Sequence, residues 1–285
     1  MFLRRLPFCI TFGTILGSIL ESFGEPSSPL YSFLVALVAK TAPWACRIGR
    51  YSAHACSEFS MIGRFKPRMD ILPPAQRRLW PELRSITDHG FVLYGGTAIA
   101  LRLGHRTSVD FDFFSNQPLD QKAVIASLPF GDQSTVLQDE PNTLTLLVSP
   151  DKPDVTNVKV SFFGAINFGR VGNPDRSEDG MVCSASLDDL MASKVKVILQ
   201  RAEAKDYRDI ASMIGAGVDL ARGLAAARLL FGPSFQPSES LKALVYFKDG
   251  DLDTLDDGEK EALINTASAV RRLPKVDLIS KKLLN

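Results

Sequence analysis

Residues Tyr94–Phe114 read YGGTAIALRLGHRTSVDFDFF: a Gly-Gly pair, a short apolar helical pattern, a polar turn, and a run in which aspartate alternates with phenylalanine. Phe91-Val92-Leu93-Tyr94 has the character of a short buried strand, Gly95-Gly96 that of a turn, and Thr97 to Leu103 that of a helix opening directly behind it. The first N–H groups of such a helix lack intrahelical partners and carry the positive end of the dipole, so they attract phosphate. Glycine lets the main chain approach an anion with no Cβ in the way, and Thr97 adds a hydroxyl. Gly104-His105-Arg106 then turns the chain into Ser108-Val109-Asp110-Phe111-Asp112-Phe113-Phe114.

In a strand, side chains alternate between faces, so Val109, Phe111 and Phe113 point one way and Ser108, Asp110 and Asp112 the other. Two carboxylates two positions apart on one strand lie roughly 7 Å from one another and repel unless a cation sits between them. Mg²⁺ held by one or two carboxylates plus substrate phosphate oxygens meets that need. An isolated D-x-D reads more readily as a half-exposed strand with solvated aspartates; the Gly-Gly turn and helix ahead of it reverse that preference in favour of the metal reading.

A second constellation begins at Ser186, a plausible N-cap followed by an acidic first turn, and opens a helix expected over 187–200. At about 100° per residue, Leu187, Leu190, Met191, Val197 and Ile198 cluster around Lys194, while Lys196 falls on the far side. A lone ammonium is costly to bury, so Lys194 calls for a phosphate or a carboxylate, or else snorkels to water. In the following run QRAEAKDYRDIASMI, Lys205 with Asp209 and Asp206 with Asp209 are helical neighbours, a spacing that ordinary surface salt bridging also produces.

Gly95-Gly96, a short helix, and Gly104-His105-Arg106-x-Ser108-x-Asp110-x-Asp112-Phe113 together resemble the signature of the AbiEii/AbiGii-type nucleotidyltransferase toxins, within the DNA polymerase β-like nucleotidyltransferase superfamily. The resemblance covers roughly residues 72–214, and the family's lysine, arginine, basic-Asp and Asp pattern maps onto Lys194, Arg201, Lys205-Asp206 and Asp209. It implies an enzyme that uses Mg²⁺ or Mn²⁺ to move a nucleotidyl group from an NTP to an RNA acceptor, tRNA foremost. The same resemblance makes the chain the toxin half of a toxin–antitoxin or abortive-infection system, neutralised by a cognate antitoxin. It also implies roles: Asp110 and Asp112 as metal ligands and, with Lys194 and Asp206, as catalytic residues. Nucleotide and phosphate contacts would come from Gly95, Gly96, Thr97, Arg106, Ser108, Arg201, Lys205 and Asp209. One departure stands out. Superfamily enzymes place a third carboxylate on a neighbouring strand, and in Asn157-Val158-Lys159-Val160-Ser161-Phe162-Phe163 that position is Ser161. Either Asp206 or Asp209 substitutes, or fewer metals are bound, or catalysis is weakened. Two further readings therefore stay open: a small-molecule nucleotidyltransferase, and a nucleotide-binding regulatory protein that has lost catalysis.

The whole chain is compatible with these expectations. It has 285 residues, 45% hydrophobic and 23% charged, which suits a globular protein with a mixed domain and a helical lobe. With 33 Lys+Arg against 32 Asp+Glu, no overall field draws it to nucleic acid. An RNA contact would need a local patch, for which Arg102, His105, Arg106, Lys194, Arg201, Lys205 and Arg208 are candidates; a solvated helical face displays the same cluster. The 4 cysteines and 3 histidines include no zinc-like spacing, so His105 reads as a loop residue, and a reducing, cytoplasmic setting is expected. Arg4-Arg5 and the uncharged run 6–20 match the hydrophobic region of a signal peptide but are too short to span a bilayer; an early-called start, with Met61 or Met69 the true one, is the preferred reading, ahead of a genuine targeting or anchoring segment. No membrane is expected for the catalytic body. The fold class expected is α+β, a nucleotidyltransferase mixed-sheet lobe followed by an α-helical C-terminal lobe. Its expected layout is an extension at 1–68, the nucleotidyltransferase core at 69–165, a linker at 166–184 and the helical lobe at 185–285. Pro81 is expected to break a helix over 74–89. Asp249-Gly-Asp251-Leu-Asp253 lacks the Gly and Glu of a calcium loop and reads as a turn into a helix.

Overall fold

In the computed structural model of the chain, residues 63–149 and 157–284 are described. The signal-like run and the start at Met61 lie outside them. In chain order the described elements are β1 (Arg64–Phe65), α1 (Pro74–Leu79), α2 (Arg84–Asp88), β2 (Val92–Tyr94), α3 (Gly95–Leu103), β3 (Asp110–Phe114), α4 (Gln121–Ser127), β4 (Thr135–Glu140), β5 (Thr143–Val148) and β6 (Val158–Phe163). They continue with β7 (Asp175–Ser177), β8 (Cys183–Ser184), α5 (Leu187–Val197), α6 (Ala204–Gly215), α7 (Leu220–Phe231), α8 (Pro237–Ala243) and α9 (Asp257–Ala269). A 3₁₀ segment, Trp80–Leu83, separates α1 from α2. It is where Pro81, lacking an N–H, interrupts the α-helical ladder.

The strands form one mixed sheet in the order β1-β7-β8-β2-β3-β6-β5-β4. β3 lies at its centre, antiparallel to β2 and parallel to β6. Helices follow the strands on the C-terminal side, so the fold is α+β, as the order of sequence patterns indicated. The stretch 166–184, expected as a linker, instead contributes β7 and β8 to the sheet and extends it to β1. Arg102 of α3 fixes this side of the sheet. Its guanidinium donates to Asp175 at 2.7 Å and to the carbonyls of Ser184 and Ala185 at 3.1 and 2.8 Å, beneath the Phe65 ring at 4.6 Å.

The alternation of β3 divides the molecule. Phe111 and Phe113 are fully buried; Phe111 stacks on Phe113 at 6.3 Å between ring centroids and Phe113 on Phe162 of β6 at 5.7 Å, with Trp80 packed against Phe111. Asp110, Asp112 and Phe114 face the other way, toward the layer in which α3 packs on α5 and α6. The expected alternation fails just outside the strand. Val109 is exposed and Ser108 is buried, because residues 108 and 109 belong to the turn and do not obey the pleat. The described residues from 63 onward form one compact unit with a continuous core, and Ser280 near the chain end bridges back to Arg170. No helix among the described residues is long and apolar enough to cross a membrane.

Candidate active site

The Gly-Gly turn joins β2 to α3, whose N-cap, Tyr94, contributes no side-chain hydrogen bond to the helix start. Gly95 has a φ of 73°, and a Cβ there would lie 2.7 Å from Asp112 Oδ2. A Cβ on Gly96 would lie 2.1 Å from an Arg106 guanidinium nitrogen. The glycines were expected to admit a ligand anion. They also make room for the protein's own Asp112 carboxylate and Arg106 guanidinium, and only glycine adopts the Gly95 conformation without strain. Thr97 and Ser108 are both buried, with their hydroxyl oxygens 2.7 Å apart, and Thr97 Oγ1 also donates to the Asp110 carbonyl. These two side chains therefore lock the turn between α3 and β3 to the helix.

Asp110 and Asp112 lie on one face of β3. In the parallel register with β6, Asp110 pairs with Lys159 and Asp112 with Ser161, and Ser161 pairs in turn with Thr145 of β5. Ser161 thus stands directly beside Asp112, as the sequence implied. Lys159 Nζ lies 3.3 Å from Asp110 Oδ2, with both side chains about two-fifths exposed (43% and 39%). Burial, and then the neighbouring Asp110 charge, push the Asp112 carboxyl above the usual range, against the opposing pull of Lys159, Lys194 and Arg201.

Behind this face lies a buried charge network. Ser186 caps α5 by accepting from the Asp189 N–H at 3.1 Å, and α5 presents Lys194 to α6. Lys194 Nζ donates to Asp206 Oδ1 and sits equally close to Asp209 Oδ2, 2.6 Å each, with all three side chains 6% exposed or less. Lys194 does not snorkel; its partners are carboxylates. Arg201 donates to both Asp206 oxygens at 2.8 and 3.2 Å. Asp209 accepts a bidentate pair from Arg106, at 2.7 and 2.9 Å, and lies 2.7 Å from His105 Nε2. Burial pushes the Asp209 carboxyl up, but the His105 hydrogen bond, the Lys194 charge and Arg106 together hold it well below the usual carboxylate range. Asp206 shows the same opposition, with Arg201 and Lys194 outweighing burial.

These groups surround a cleft of about 210 Å³. Gly96 and Thr97 line it at the start of α3, and residues 106–109 form its lip. Asp110, Asp112 and Lys159 form its floor, with Lys194, Arg201 and Lys205 opposite. Asp206 and Asp209 stand behind the wall, fully buried. Five cations and two carboxylates thus border the cleft, which suits a polyanion bound through a cation. A larger cavity of about 340 Å³ lies near Ala75, Leu79 and Phe130. Its lining holds a single carboxylate, Glu82, and a single cation, Arg78, so the smaller cleft, with its carboxylate pair and five cations, is the candidate site.

No three His, Cys, Asp or Glu side chains among the described residues group as a metal site. The donor set fits a divalent cation completed by substrate: two carboxylates on one face, one of them buried beside the other's charge, in a cleft that takes phosphate oxygens. Of the residues singled out in the sequence, the structure brings Gly96, Thr97, Arg106, Ser108, Asp110, Asp112, Lys194, Arg201 and Lys205 to one cleft. Gly95 adjoins it through Asp112. Among the candidates for a basic patch, Arg102 is held by Asp175 away from the cleft lining, and Arg208 is bound to Thr254 and near Glu259. Lys159 was missed, although it is the one cation in an otherwise apolar strand pattern and lies two residues from Ser161.

A family model described as "Nucleotidyl transferase AbiEii toxin, Type IV TA system" matches residues 78–279. An uncharacterized protein of Aquifex aeolicus (strain VF5) is 29% identical over 172 residues, covering 59% of this chain and 79% of that protein.

Proposed function

We propose, from the premise that this chain belongs to the AbiEii nucleotidyl transferase toxin family of type IV toxin–antitoxin systems, that it transfers a nucleoside monophosphate from an NTP to RNA, with tRNA the acceptor. An NTP substrate and a cognate antitoxin accompany that membership. The observation that carries the reading is the union, in one cleft, of the open α3 N-terminus, the Asp110–Asp112 pair and the cations Lys159, Lys194, Arg201 and Lys205.

The roles follow from position. The α3 N-terminal amides at Gly96 and Thr97 receive phosphate oxygens. Asp110 and Asp112 would hold Mg²⁺ or Mn²⁺, which when bound supplies positive charge to the reacting phosphoryl group. Lys194 has three donors, of which the two aspartates take two, leaving one directed to the triphosphate. Asp206 has both oxygens engaged by Lys194 and Arg201, so we assign it, with Asp209, to positioning those cations rather than to proton transfer. The RNA hydroxyl oxygen attacks the α-phosphorus and releases its proton to solvent; the new O–P bond replaces the bond from the α-phosphorus to the α,β-bridging oxygen, and pyrophosphate leaves between Arg201, Lys205 and Lys159. The half-exposed side chains of Arg201, Lys205 and Lys159 also border the approach for the acceptor backbone.

The test is incubation of the protein with Mg²⁺ or Mn²⁺, each α-labelled NTP in turn, and total RNA, with small hydroxylated acceptors in parallel. We expect label on RNA of tRNA size, abolished by Asp110→Asn or Asp112→Asn with the fold intact. Near wild-type transfer by either variant would sink the assignment of the two aspartates. Ser161 supports a second reading, a nucleotide-binding protein with little turnover; metal-dependent NTP binding without any labelled product would favour it.

A further inference from the structure

Position 161 decides how many metal ions this cleft can hold. Asp112, Ser161 and Thr145 form one row across β3, β6 and β5, with their side chains on the same face. The two positions flanking Asp112 on the β6 side thus offer buried hydroxyls, Ser161 at 4% and Thr145 at 7% exposure, and no charge. In the adjoining row, Asp110 has Lys159 as its neighbour, and the ammonium at 3.3 Å already supplies Asp110 with positive charge. Asp206 and Asp209 cannot swing in as substitutes. Both are fully buried, and Lys194, Arg201 and Arg106 occupy their oxygens at 2.6–3.2 Å.

Two divalent ions about 4 Å apart repel four times as strongly as two unit charges, and a two-ion site needs carboxylates enough to offset this. Mg²⁺ completed by water and phosphate needs only one or two. We infer that this cleft takes a single divalent cation, on Asp110 and Asp112, with the Lys159 ammonium standing where a second ion would add charge, and that the residue limiting the site to one ion is Ser161. This rests on the nucleotidyltransferase reading above and specifies its metal content. Besides bordering the path of the pyrophosphate, Lys159 then orients Asp110 and offsets its charge.

The experiment counts ions on the full chain with a non-hydrolysable α,β-methylene NTP and Mn²⁺ as the probe. Bound Mn²⁺ and bound nucleotide are measured after equilibrium dialysis, and the Mn²⁺ EPR spectrum distinguishes isolated ions from an exchange-coupled pair. Wild type should bind one Mn²⁺ per nucleotide with an uncoupled six-line spectrum. Ser161→Asp should bind two and show coupling, while Ser161→Asn, similar in volume but neutral, should remain at one. Lys159→Met should weaken nucleotide binding about tenfold and leave the wild-type count at one. Two ions or a coupled spectrum in the wild type overturns the inference, as does a folded Ser161→Asp protein that stays at one. If Ser161→Asp does not fold, the wild-type count and spectrum decide. Mn²⁺-dependent nucleotide binding with the wrong ion count refutes this inference alone; absence of any such binding to wild type refutes the nucleotidyltransferase reading with it.

Discussion

Lys194 and Lys196 are two residues apart on α5 and differ in everything but chemistry. Lys194 is enclosed by Asp206 and Asp209, whereas Lys196 holds its ammonium 4.2 Å from the centre of the Phe231 ring. Removing one partner of a buried ion pair leaves the other uncompensated, at a cost of about 3 kcal/mol or more, although Arg106 and Arg201 remain to share the load here. Lys194→Met should therefore lower the melting temperature by roughly 6–12 °C for a domain of this size. Assayed well below its melting point, it should still lose about ten- to a thousandfold in kcat/KM for NTP, since it removes a group stabilising the transferring phosphates. Lys196→Ala should cost about 0.5–1 kcal/mol of stability through the lost cation–π contact and leave the kinetics unchanged. Thermal melts and steady-state kinetics on both variants test this. A Lys194→Met protein that is folded at the assay temperature and fully active would reduce Lys194 to a structural pin.

At the scale of elements, the site depends on α3 and β3 meeting through their backbones. The Cβ of Gly96→Ala would meet the end of a flexible guanidinium, so the Arg106–Asp209 pair yields more easily than the fold does. We expect that variant to melt within a few degrees of wild type but to lose about tenfold or more in NTP affinity, read by calorimetry with Mg²⁺ and a non-hydrolysable NTP. Unchanged affinity would separate the α3 N-terminus from phosphate binding. Much of this arrangement was legible in the sequence, because each part is local: the Gly-Gly turn, the alternation of β3 and the Ser186 cap are each written within a few consecutive residues. What escaped is set by strand partnership. Lys159 reaches Asp110 only because β6 runs parallel to β3 in a particular register. The β7 and β8 strands escaped because they have three and two residues, too short for a period to show. The burial of Asp206 and Asp209, in a segment that read equally as solvated salt bridging, depends on how α6 packs on α3 and α5.

For the whole molecule, the question is where the folded body starts. The motifs suggest that a chain beginning at Met69 would suffice, since nothing with chemistry precedes Asp70. The structure argues for an earlier boundary. β1 pairs with β7 through Arg64 and Phe65, the Phe65 ring covers the Arg102 guanidinium, and the Arg68 N–H donates to the Leu101 carbonyl at 2.8 Å. Cutting at Met69 strips the edge of the sheet beside Asp175 and exposes an arginine whose side chain ties α3 to β8, so the damage reaches the helix that begins at the Gly-Gly turn. A chain starting at Met61 retains all of these contacts. It should match the full chain in melting temperature and transfer activity, whereas a chain starting at Met69 should melt several degrees lower, consistent with losing a cation–π contact and a few hydrogen bonds worth about 1 kcal/mol each. Thermal melts of the three chains side by side provide the measurement. Equal stability of the Met69 chain would show that β1 is an ornament of the sheet edge, and instability of the Met61 chain would show that residues before it take part in the fold.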